Sequence, residues 1–114
     1  MIFQPITIRQ GEDFTVELTE NTLKYNDIEM YVRFSEDATD LKARYTGSGG
    51  EVLHETGTIS KVDDKYTINL PNAKTKAATI DVYNLELLYK IGEKIYKPVV
   101  KELIKIIEND FNYG

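Results

Sequence analysis

Apolar and polar residues alternate with a period of two along much of the chain. Phe14, Val16 and Leu18 share one parity, while Thr15, Glu17 and Thr19 hold the other. The pattern returns at Ile28, Met30, Val32 and Phe34, opposed by Glu29, Tyr31, Arg33 and Ser35, and again at Tyr66, Ile68 and Leu70. Successive side chains of a strand point to opposite faces, so one-sided alternation predicts antiparallel sheets with one face packed and one wet. Between Thr79 and Tyr89 the parity flips: Ile80 and Val82 hold one register, then Tyr83, Leu85, Leu87 and Tyr89 the other, with Leu88 apolar as well. A flip of this kind marks either a bulge or a strand covered on both faces, and a long central strand is expected here.

Turn chemistry separates the runs. Gln10-Gly11-Glu12-Asp13, Thr46-Gly47-Ser48-Gly49-Gly50, Val62-Asp63-Asp64-Lys65, Leu70-Pro71-Asn72 and Ile91-Gly92-Glu93-Lys94 supply the residues that favour chain reversal. The last predicts a hairpin between Leu85–Tyr89 and Lys94–Lys97. Asn72–Ala78 has few β-formers and fits one helical turn. Val99–Phe111 fits two templates: Val99, Leu103, Ile106 and Ile107 lie on a helical face, whereas Ile104 and Ile106 alternate, and a strand over Leu103–Ile107 is favoured. Short strands at this spacing predict an all-β, immunoglobulin-like antiparallel β-sandwich of about seven strands, with residues 1–114 as one domain.

Composition agrees. Ile, Val and Thr, which suit a pleated surface, number 12, 7 and 11 in 114 residues, against five Ala. There is no Cys, which removes disulfides, thiolate metal sites and thiol nucleophiles. The net charge of −5 argues against nucleic acid as a partner, because such binding works through phosphate neutralisation. Apolar runs are too short to span a membrane, and the first ten residues lack the basic and apolar regions of a secretory signal.

Candidate chemistry is sparse. The one histidine, His54, has no second His for a metal site and reads as a surface or edge residue. Gly47-Ser48-Gly49-Gly50 has neither the spacing of a phosphate loop nor that of a nucleophile elbow, and reads as a flexible hairpin tip. Ser35–Asp40 is acidic but lacks the spacing of a calcium loop. No cofactor, metal or catalytic residue is therefore expected. Tyr31, Tyr83, Tyr89 and Tyr96 raise the alternative of a sugar-stacking platform. At the chain ends, Ile2, Phe3, Phe111 and Tyr113 put large apolar groups where polar, frayed residues are usual. They either tuck onto the domain or dock on a neighbouring subunit, and the second alternative makes them the candidate partner interface.

The order of motifs also resembles a known family. Ile6-Thr7-Ile8-Arg9-Gln10-Gly11-Glu12-Asp13-Phe14-Thr15-Val16-Glu17-Leu18 is similar to the opening of small immunoglobulin-like modules in tailed-phage structural proteins. Ile59–Pro71 resembles their middle segment, ending in Tyr66-Thr67-Ile68-Asn69-Leu70-Pro71. Asp81–Leu87 resembles a following Y-x-Y-D-L-E-L strand, with Asn84 where the family has Asp. The resemblance implies a non-enzymatic virion protein. Without a long C-terminal extension, an auxiliary capsid (decoration) protein on the major capsid lattice is the expected form. It would be made in the host cytoplasm, act at the capsid surface, and contact other virion proteins or further copies of itself, with no nucleic acid or membrane partner. A tail, baseplate or head-fibre adaptor and a carbohydrate-binding adsorption module are the alternatives.

Overall fold

The alternating runs fold as strands in a computed structural model that describes residues 4–110. The elements are β1 (Ile6–Arg9), β2 (Phe14–Thr19), β3 (Thr22–Tyr25), β4 (Ile28–Tyr31), β5 (Thr39–Gly47), β6 (Val52–Glu55), β7 (Tyr66–Leu70), α1 (Asn72–Lys76), β8 (Asp81–Ile91), β9 (Lys94–Tyr96) and β10 (Val99–Ile107). The larger sheet runs β1-β10-β8-β5-β6, with β9 added to the end of β8, and the smaller runs β4-β3-β2-β7. Two mainly antiparallel sheets packed face to face make the expected all-β sandwich. The Tyr83 hydroxyl, at the start of β8, bonds back to the carbonyl of Thr79 and fixes that corner of the sandwich. One pairing departs from the expected antiparallel pattern: β1 and β10 run parallel. Parallel neighbours need a long crossover, and the rest of the domain supplies it.

There are ten strands among the described residues rather than about seven. The additional ones are short and sit at edges or hairpins, where little alternation is available to reveal them. The expected strand over Ile28–Phe34 stops at Tyr31, because Val32 and Phe34 wrap around Asn21 instead. Asn21 lies at φ 54°, accepts the Val32 amide and donates to the Phe34 carbonyl, and its side chain takes the Phe34 amide. Val32 and Phe34 are buried all the same.

The core is the filling between the sheets. Phe14, Val16, Leu18 and Ile68 face Tyr45, Tyr83, Leu85, Leu87 and Tyr89, with Ile8, Leu103, Ile104 and Ile106 closing one side. Phe34 meets Tyr89 and Tyr66 edge-on, at centroid distances of 5.1 and 5.4 Å, a favoured aromatic geometry. β8 is long and central, as expected, but is not covered on both faces. Its odd-numbered residues from Tyr83 to Tyr89 are buried, while Leu88 is exposed on the outer face and Ile80 precedes the strand.

Residues 99–107 are strand, and a bulge explains their double periodicity. Val100 pairs with Leu85 and Ile104 with Tyr83, so three residues of β10 oppose one residue of β8. Glu102 takes a positive φ of 53° there, and its amide donates to the Asn84 side chain at 2.8 Å. The bulge resets the face, so that the consecutive Leu103 and Ile104 are both buried.

The chain crosses between sheets at one end of the sandwich, at residues 10–13 and again at 71–80, and these two crossings are tied together. The Thr75 hydroxyl, fully buried, donates to the Glu12 carbonyl at 2.7 Å and accepts the Gly11 amide at 3.1 Å. Gly11 has a φ of 90°, which L side chains rarely adopt. Asp13 accepts the Asn72 amide at 2.9 Å, serving the first turn of α1, whose own cap position is Pro71. Gln10 donates to the Ala78 carbonyl at 2.8 Å.

Thr75→Val keeps the shape but removes the bonds of a fully buried hydroxyl to the Gly11 amide and the Glu12 carbonyl, and is expected to cost about 2 kcal/mol. Tyr45→Phe should do the reverse. The Tyr45 hydroxyl is buried without a partner among the described residues, so its removal is expected to be neutral or stabilising by up to about 1 kcal/mol. Urea unfolding of both variants checks the contrast.

Candidate interaction surfaces

The outer face of the larger sheet carries a shallow groove of about 570 Å³. Its floor comes from the outward residues Lys42 and Arg44 of β5 and Glu86 and Leu88 of β8. Thr56–Thr58 form one wall, and Lys97 and Val99 the other. Arg44 is internally neutralised: its guanidinium lies 2.7 Å from Glu86 and 3.6 Å from Glu55. Glu86, then Glu55, raise its pKa further above the ordinary arginine value. Lys42 and Lys97 have no ion pair among the described residues.

A second groove, of about 380 Å³, meets the first at Val99. It is lined by Met30, Tyr31, Arg33, Pro98, Val100 and Lys101, alongside the edge strand β4. Tyr31 is 76% exposed. Leu88, Val99 and Tyr31 thus form an apolar strip across two grooves, ringed by cations. Large aromatic and arginine side chains beside a groove are the usual anchors of protein interfaces.

The residues singled out in the sequence have other roles. Tyr83 and Tyr89 are core, and Tyr96 stacks on Tyr89 at 5.3 Å and also holds the Arg33 guanidinium 4.6 Å from its ring centre. The four tyrosines therefore share no open platform, and Tyr31 is the exposed one. The glycine-rich tip is pinned rather than loose: the Ser48 hydroxyl donates to Asp81 at 2.8 Å, and the Ser48 amide adds a bond at 3.2 Å. Those bonds hold the Asp81 carboxyl below its ordinary pKa. Ser35–Ala38 is a turn closed by the Ala38 amide donating to the Ser35 carbonyl at 3.0 Å, with the Ser35 hydroxyl accepting the Asp37 amide, and Thr39 and Asp40 begin β5. No three His, Asp or Glu side chains converge as metal ligands among the described residues. Ile2, Phe3, Phe111 and Tyr113 lie outside the described residues.

The two grooves escaped the sequence pattern. The outward apolar residues of β8 were visible as a parity conflict, but they read as burial on both faces rather than as an exposed strip. No family model, curated protein or solved structure matches the chain.

His54 sits half-buried on the edge strand β6, opposite Tyr45. Burial holds its pKa below the ordinary value of 6.5, and the Lys74 ammonium adds to the effect. The unfolded chain therefore binds this proton more readily than the folded one. The stability contributed by neutral His54 is complete above about pH 6.5 and drains away as pH falls towards the lowered folded value. The urea midpoint should drop on acidification from about pH 7.5 to about pH 5.5, and His54→Gln should flatten that part of the profile. An identical drop in both proteins would assign it to other groups.

Proposed function

We propose that this chain is a non-enzymatic structural subunit of a tailed-phage particle, an auxiliary protein that docks on the major capsid lattice. The observation that carries the reading is the placement of the three segments that resemble phage modules. Ile6–Leu18 forms β1, the first sheet crossing and β2; Tyr66–Leu70 forms β7 against β2; Asp81–Leu87 lies in the central strand β8. The resembling residues Gln10 and Gly11 take part in the bonds that hold the crossings. They build the scaffold, which leaves recognition to the sheet face and its grooves.

The physical role would be passive. A stable interface buries about 1,200–2,000 Å² in total, so a subunit of this size gives up a large part of its surface or relies on many copies. The acidic net charge of −5 suits the outside of a particle better than an interior packed with nucleic acid.

Separating purified particles into heads and tails and quantifying the chain in each by mass spectrometry tests this. Many copies confined to heads are expected. A few copies confined to tails would replace the capsid assignment with that of a tail or baseplate adaptor, and absence from both would overturn the virion reading.

A further inference from the structure

The charge of the molecule is unevenly spread. The two grooves that meet at Val99 are lined by five cations, Arg33, Lys42, Arg44, Lys97 and Lys101, and by two carboxylates, Glu55 and Glu86. Both carboxylates are committed to Arg44. A net-basic, partly apolar surface therefore sits on a chain of net charge −5, and the rest of the molecule is correspondingly more acidic. Two such surfaces facing each other would repel, which disfavours a symmetric face-to-face pair.

The acidic remainder contains a shape that suits the groove. Val62-Asp63-Asp64-Lys65 is a two-residue reversal closed by Val62 and Lys65 exchanging both backbone bonds, at 2.8 and 3.1 Å. Asp63 and Asp64 have φ values of 51° and 62°, so the turn is a primed one with little freedom left to lose on binding. Val62 is 65% exposed, and both carboxylates are exposed beside it. Neither Asp63 nor Asp64 has an ion pair among the described residues. Of the two lysines that bracket the turn, Lys65 is paired with Glu17 at 3.2 Å and Lys61 is exposed, so Asp63, Asp64 and Glu17 leave this end acidic. An apolar knob with two carboxylates is the counterpart of an apolar floor flanked by Lys42 and Lys97.

We infer that the groove surface of one copy receives the Val62-Asp63-Asp64 turn of a second copy, in a head-to-side contact. Because the two patches differ, the contact is heterologous: it closes into a ring or extends as a row, according to the rotation between copies. The inference goes beyond the virion reading and does not rest on it, since the purified chain alone is sufficient to test it.

Sedimentation velocity over a concentration series, at low and high salt, is the experiment. The full chain is expected to associate reversibly, and less so in high salt. Lys42→Glu with Lys97→Glu alters the groove. Asp63→Asn with Asp64→Asn neutralises the turn, and asparagine tolerates the same backbone conformation. Each pair should lower the association constant by at least about tenfold, with the thermal melt unchanged. A one-to-one mixture of the two variants should recover dimers, because one partner keeps its turn and the other its groove. A wild-type chain that stays monomeric, association indifferent to either pair of substitutions, or a mixture that recovers nothing would each overturn the inference.

Discussion

A single buried hydroxyl holds together two of the four places where the chain passes between its sheets. Without Thr75, the Gly11 amide and the Glu12 carbonyl would lose the bonds that tie their crossing to α1. Hydrophobic filling pulls the sheets together but is nearly indifferent to their exact alignment. The bonds from Thr75, Asp13 and Gln10 supply that direction, and Tyr83 repeats the device from the start of β8. With the crossings fixed, β2 pairs with β7 and β8 enters the middle of the larger sheet.

The position of β8 then determines which surfaces are free. Its inward residues are used by the core, and its outward residues, with those of β5, form the floor of the larger groove. The bulge in β10 turns Leu103 and Ile104 inward and leaves Val99 outside, where both grooves meet. Fold and surface are thus coupled through one strand and one irregularity. The motif residues shared with phage modules fall on the structural side of that division, at the crossings, and the proposed contacts fall on the other.

Much of this architecture could be read from the sequence. The alternation at Phe14–Leu18 and Tyr66–Leu70 placed β2 and β7, the turn chemistry placed the reversals, and Asn72–Ala78 was recognised as a helical turn. What escaped notice has physical causes. The spacing of Val99, Leu103, Ile106 and Ile107 imitates a helix because the bulge adds residues to one strand, and only the partner strand reveals it. Val32 and Phe34 alternate like strand residues although Asn21 takes their backbone bonds. The grooves are assembled from β4, β5, β8 and β10, so no local window contains them. The candidate interface at the chain ends lies outside the described residues.

Native-state amide exchange tests the central role of the clasp most directly. The amides of Gly11, in a turn, and of Asn72, the first residue of α1, bond to side chains rather than to a sheet. If the clasp opens only when the sandwich does, they exchange with the same free energy as the amides between β2 and β7, the free energy of global unfolding. Exchange orders of magnitude faster than in those strands would show that the crossings open on their own, and that apolar packing alone aligns the sheets.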